Sequence, residues 1–141
     1  MKCLVIAEYE DHTLRPSSLA ALGFATQVAE QTGGSTSWLL LGHELDDLAQ
    51  QAAHYAPVLL ADHRLLAAPT ADRYAAIIAA QTQQHAFDLV VAASGSFSKD
   101  IVGRSGGLLG GAMASDVVAH HWEADRLLLQ RPMYAGSVLA T

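Results

Sequence analysis

Residues 94–104 gather Ser94, Ser96, Ser98, Lys99 and Arg104 into one short stretch. Serine hydroxyls, backbone N–H groups beside a glycine, and two cationic side chains form a donor set that can hold an anion such as a nucleotide phosphate. Ser94, Ser96, Lys99 and Arg104 are therefore the candidate cofactor-contacting residues. The same residues also describe a small-residue turn from a strand into a helix, with a serine N-cap and the two cations on a solvated helix face. Gly103, Gly106, Gly107, Gly110 and Gly111 follow. They suit close backbone approach to a nucleotide, or close packing and turns with positive φ. Ser96 has no nucleophile elbow around it, because Gly95-Ser96-Phe97 lacks the second glycine of a Gly-x-Ser-x-Gly turn.

Other chemistries find less support. The first apolar run leads into Glu8-Tyr9-Glu10-Asp11, where a dinucleotide-binding turn needs bare glycine backbone and acidic side chains repel a pyrophosphate. Neither lysine, Lys2 or Lys99, follows a phosphate loop of the Walker type. The histidines are His12, His43, His54, His63, His85, His120 and His121, and none stands at His-x-x-x-His or Glu-x-x-His spacing, so no metal is expected. Adjacent His120 and His121 fall in a strand and point to opposite faces. Asp46-Asp47 open a helix, where carboxylates favour the dipole. Cys3, the single cysteine, lies in an apolar strand and is expected to be a buried thiol, with no disulfide or cysteine metal site.

These residues need a frame to position them. Apolar runs at residues 3–7, 37–41, 58–61 and 89–93 read as buried strands. Between them lie helical patterns starting at Pro16 or Ser17 and ending at Gly33-Gly34, then over residues 45–55, then from an Asp72 cap to about Gln84. A fourth helix is expected over residues 99–109, weakened by its glycines. Strand and helix alternate, so right-handed crossovers build a parallel sheet with helices on both faces. Residues 117–121 and 127–130 have no helix between them and are expected to pair as an antiparallel hairpin at a sheet edge. Residues 137–139 are a possible last strand.

The 141 residues fit a single α/β domain over positions 1–141. A 51% apolar composition matches buried parallel strands rather than disorder. The net charge of −6, with no basic cluster, argues against nucleic acid as a partner. No apolar run reaches the ~18 residues of a membrane span, and no leader precedes the first strand, so membrane insertion is not expected and the chain reads as cytoplasmic.

Four local patterns, taken together, resemble the N-terminal domain of the electron-transfer flavoprotein alpha subunit family. They are Leu4-Val5-Ile6-Ala7-Glu8 with Leu14-Arg15-Pro16 behind it, the loop from Ser94 to Lys99, Ser115-Asp116, and Arg131-Pro132-Met133-Tyr134-Ala135-Gly136. One departure is Gly103-Arg104, where the family often has Pro-Arg before an alanine-rich helix. The resemblance implies a three-layer open, mostly parallel sheet of the adenine-nucleotide alpha-hydrolase-like, Rossmann-like kind. It implies pairing with a beta subunit in a carrier of electrons from acyl-CoA or similar dehydrogenases to an acceptor. It also implies FAD in the full assembly, held mainly by a C-terminal domain beyond Thr141. On this reading the chain is a fragment that binds no flavin alone, has no catalytic residues of its own, and tends to self-associate through an exposed apolar patch. The alternatives are a stand-alone nucleotide-binding α/β protein using the 94–99 loop, and a hydrolase using Ser96.

Overall fold

The structure is a computed structural model that describes residues 1–133 and 138–140. Tyr134, Ala135 and Gly136 of the arginine–proline run, Ser137 and Thr141 lie outside the described residues. The chain divides into two compact units, Met1–Gly111 and Ala112–Thr141.

In the first unit, β1 (Lys2–Ile6), β4 (Ser35–Gly42), β5 (Val58–Asp62) and β6 (Leu89–Val91) form a parallel sheet in the order β5-β4-β1-β6. The order is set by register: Val5 stands between Trp38 on β4 and Val91 on β6. The side chains of β1 from Cys3 to Ile6 are fully or almost fully buried, as expected of a central strand covered on both sides. Burial also pushes the Cys3 thiol above its ordinary pKa, so it behaves as packing rather than as a nucleophile.

Strand alternation separates two cores. Leu4, Ile6, Leu39 and Leu41 pack with Tyr74 and Ile78 of α3 (Ala71–Gln84) and Ile101 of α4 (Ser96–Leu109). Cys3, Val5, Trp38 and Leu40 fall on the opposite face by alternation. That face is covered by α1 (Pro16–Glu30), which buries Leu22, Ala25 and Val28, and by α2 (Asp46–Ala53), which buries Leu48 and contacts β5. The layers are therefore helix, sheet, helix, as expected.

Pro16 occupies the first turn of α1, where its missing N–H costs nothing. The helix ends near Gly33, whose φ of 65° is the left-handed turn that glycine takes without strain. Some boundaries differ from the sequence reading. α4 begins at Ser96, so Ser96 and Ser98 are helical and the N-cap is Gly95. Thr70, rather than Asp72, is the N-cap of α3, and Asp72 sits in the first turn. The acidic turn after β1 is a small hairpin, β2 (Tyr9–Glu10) and β3 (Thr13–Leu14).

In the second unit, β7 (Ala119–Glu123) and β8 (Arg126–Met133) pair antiparallel, as expected, around a turn at Ala124 with φ 55°. The expected edge position is corrected. The hairpin belongs to its own three-stranded sheet, β7-β8-β9, with β9 at Val138–Ala140. β8 serves both neighbours in turn, pairing with β7 over Arg126–Gln130 and with β9 over Arg131–Met133.

Candidate functional site

The strand order makes one place special. From β1 the sheet grows through β4 to β5, and α3 then returns the chain to β6 on the other side of β1. The carboxyl ends of β1 and β6 thus flank a topological switch point, where open α/β sheets usually take their ligands. Glu8 leaves β1 at this point, and the loop 92–95 leaves β6.

Glu8 is held on every side. Its N–H donates to Ser18 Oγ at 2.6 Å, and its carbonyl accepts from Ser18 Oγ at 3.0 Å and from the Arg15 N–H at 3.0 Å. Its carboxylate accepts the Ser98 hydroxyl, and Ser98 is buried. A Cβ built on Gly95 would stand 3.5 Å from Glu8 Oε1, so this carboxylate lies against the bare backbone that starts α4. The chain's own anion therefore sits at the helix N-terminus, where a phosphate would be favoured. Like charges repel, so the crevice as built does not fit a dinucleotide pyrophosphate.

The candidate residues are spread around this point. Ser94 and Ser96 are exposed on the rim, and Lys99 is half-buried in the first turn of α4, its N–H bonded to the Gly95 carbonyl at 2.9 Å. Arg104 lies on the exposed side between α4 and α3. Its Nε donates to Asp100 Oδ1 at 2.9 Å, and its other arm pairs with Asp72. The hydrogen bond and charge of Asp100, with Asp72 beside it, raise the Arg104 pKa further. The structure thus brings Ser94, Ser96 and Lys99 to one helix start, while Arg104 faces two carboxylates.

Beside the switch point, the carboxyl end of β4 is tied down. Tyr9 Oη donates to the Leu41 carbonyl at 2.8 Å, and Tyr74 Oη donates to the Leu66 carbonyl at 3.1 Å. A Cβ on Gly42 would stand 2.1 Å from Tyr9 Oη, so any larger residue there would have to push the Tyr9 ring off its bond to Leu41. Burial lifts both phenols, and with the neighbouring Tyr9 it pushes Tyr74 up to about 12. Phe97 meets Tyr74 edge to face at 5.9 Å and remains partly exposed. Asp62, at the end of β5, accepts the Leu45 and Glu44 N–H groups, both at 2.9 Å. Those backbone bonds, the Leu45 one foremost, hold its carboxyl below the ordinary aspartate range, with His43 adding to the effect.

An open acidic cleft of about 350 Å³ lies nearby, lined by His12, Glu44, Asp46 and Asp47. Among the described residues, no three or more His, Cys, Asp or Glu side chains are placed so that they could hold a metal ion. Among the same residues, no helix is long and apolar enough to cross a membrane.

Sequence reasoning missed Glu8 as the occupant of the crevice, together with its partners Ser18 and Ser98. The acidic turn after β1 was the available signal, and it pointed to repulsion without showing where the carboxylate sits.

Residues 3–141 match the family described as Electron transfer flavoprotein domain. The chain is 32% identical over 145 residues to the mitochondrial electron transfer flavoprotein subunit alpha of Oryza sativa subsp. indica, covering 98% of this chain and 39% of the relative. It is 27% identical over 141 residues to the electron transfer flavoprotein subunit alpha of Clostridium acetobutylicum, covering 97% and 42%. Protein FixB of Clostridium saccharobutylicum is 28% identical over 140 residues, again with 97% and 42% covered. The chain therefore spans about two fifths of the length of the curated relatives it matches.

Proposed function

Because the chain belongs to the electron transfer flavoprotein domain family, we propose that it is the N-terminal docking domain of an alpha-type subunit in a flavin-dependent electron carrier. Residues 1–141 act together in this role, and the chain pairs with a beta subunit. The electrons come from acyl-CoA or similar dehydrogenases. No residue of this chain is assigned a catalytic step; FAD, bound in the full assembly, supplies the redox chemistry.

The carrying observation is the switch point. It is the usual ligand crevice of the fold, yet here it is filled by Glu8 against Ser98 and Gly95. A domain whose ligand crevice holds its own carboxylate is better suited to packing than to cofactor chemistry. Ser94, Ser96, Lys99 and Arg104 then serve as rim and helix-bridging residues, and any flavin contact they make arises in the assembly. Exposed Leu60 on the edge strand β5, with exposed Tyr55 before it and Leu65 after it, supports self-association of the isolated chain. A cytoplasmic location is part of the proposal; the rice and Arabidopsis relatives are named mitochondrial.

The test is to add excess FAD to the purified chain, remove the unbound fraction and record the visible spectrum, then repeat with a beta subunit present. We expect no retained flavin with the chain alone and co-elution of the chain with the beta subunit. Flavin retained at near one per chain, or a chain that elutes apart from the beta subunit, overturns the reading.

A further inference from the structure

The carboxyl ends of β4 and β5 carry charge that the docking role has not absorbed. Gly42 pairs with Asp62 at the end of this ladder, and the His63 N–H continues it by bonding to the Gly42 carbonyl at 2.9 Å. The chain leaving β4 is acidic: Glu44 lies in the turn, and Asp46 and Asp47 open α2. The chain leaving β5 is basic. Arg64 follows His63 in a short 3-10 turn, and Arg73 of α3 is tied to that turn by donating to the Leu65 carbonyl. Asp62 fastens the two stretches side by side, because it belongs to β5 and holds the Glu44 and Leu45 N–H groups.

Both stretches face solvent. Glu44, Asp46, Asp47, Arg64 and Arg73 are exposed, and Leu65 beside the two arginines is 55% exposed. Among the described residues, Arg64 and Arg73 join no ion pair, and neither do Asp46 and Asp47, while Glu44 meets only His43, at 3.8 Å. Arg15 and Arg104, by contrast, sit on carboxylates of their own chain. The net charge of −6 repels a second copy in general, so a contact between copies has to form where cations are not yet neutralised.

A cationic patch beside an anionic one is complementary to itself. A two-fold axis between two copies sets each arginine pair on the carboxylates of the other copy, and does so twice, because an isologous contact is reciprocal. Opposite charges then meet and like charges do not, which fixes the orientation of the pair. Arginine suits the role, since its planar fork matches a carboxylate and is weakly hydrated. Leu65 adds apolar area beside the arginines.

We propose that this end of the sheet is the contact surface of a symmetric dimer of the chain, with Arg64 and Arg73 of each copy on Glu44, Asp46 and Asp47 of the other. This rests on the self-association in the reading above, not on the beta-subunit pairing, and adds where and by what chemistry it occurs.

The test is sedimentation equilibrium of the full chain across a wide concentration range, at low and high salt. The native chain should dimerise, and more weakly at high salt. Arg64→Glu/Arg73→Glu and Glu44→Lys/Asp47→Lys should each weaken the dimer on the order of tenfold or more. An equimolar mixture of these two variants should dimerise again, because both patches of one are then acidic and both patches of the other basic. Arg15→Glu/Arg126→Glu changes the net charge equally at other places, and should associate as the native chain does. Thermal melts identify any variant that fails to fold, and the mixture and the control then decide. A mixture that stays monomeric, or equal weakening by Arg15→Glu/Arg126→Glu, overturns the assignment. A dimer lost in Leu60→Asp but kept in both charge variants belongs to the β5 edge, and also overturns it. A native chain that stays monomeric removes this surface and leaves the beta-subunit pairing standing.

Discussion

Strand β1 and the β7–β8 ladder are both short β structures, yet they differ in how complete they are. β1 is buried on both faces, paired on both edges, and continues into a residue whose N–H, carbonyl and carboxylate all have partners. The ladder is half-buried and leaves two donors without acceptors. The first arrangement needs nothing from outside the chain. The second carries the cost of two buried donors without acceptors. The comparison teaches that completeness is local to a strand: even β4, beside β1, buries the Trp38 indole with its Nε1 unpaired.

The strongest way to break that contrast is to open the β1 core. Leu4→Ala should destabilise the chain by roughly 3 kcal/mol, since a fully buried leucine leaves a cavity in a packed interior. The equivalent change Leu128→Ala, in the half-buried ladder, should cost only about 1 kcal/mol. Chemical denaturation of both variants checks the pair, and equal losses would erase the distinction.

Gly42→Ala comes next, at about 2 kcal/mol of destabilisation, because its Cβ would meet Tyr9 Oη at 2.1 Å and Leu45 at 3.1 Å. The double variant Gly42→Ala/Tyr9→Phe should recover part of the loss, since removing the hydroxyl relieves the nearest clash. A double-mutant cycle by thermal melting would reveal no coupling if the clash is not the cause.

A gentler probe is pH. The folded state lowers the Asp62 pKa, so its support of the Glu44–Leu45 turn is complete above the ordinary aspartate range. That support is lost as pH falls through the lowered folded value. Asp62→Asn should therefore flatten the acid limb of the stability curve, which a pH series of melts would follow. An unchanged acid limb would mean that other carboxylates carry it.

The smallest expected effect is favourable. Gly107 is helical, and a Cβ there would meet nothing within 4 Å. Gly107→Ala should stabilise α4 by about 0.5–1 kcal/mol through helix propensity. If the melt instead falls, the space around Gly107 is needed for a reason internal to the fold.

Much of this architecture is legible in the residue pattern. Apolar runs at 3–7, 37–41, 58–61 and 89–93 mark all four strands of the parallel sheet. Only the central ones, β1 and β4, are deeply buried, while the edge strands β5 and β6 are half-buried and Leu60 is exposed. Pro16 and Gly33 mark their helix ends through fixed and left-handed φ. The candidate site was less legible. Ser94, Ser96 and Lys99 stand out as types that bind anions, but their meaning depends on Glu8, 86 residues before Ser94 and brought there by the pairing of β1 with β6. Arg104 reads as a free cation in sequence, and only the packing of α3 on α4 brings Asp72 to it.

The sequence by itself determined the fold class, the alternation of strand and helix, the buried state of Cys3, and the lack of glycine backbone where a dinucleotide would bind. These follow from local properties: periodicity, backbone freedom and side-chain charge. Tertiary structure alone decided that β1 lies beside β6, that Glu8 closes the switch point against Ser98, that the late hairpin forms its own sheet, and that Trp122 Nε1 and Arg131 Nε are buried without acceptors. Each of these depends on which distant residues become neighbours, and strand order and register set that.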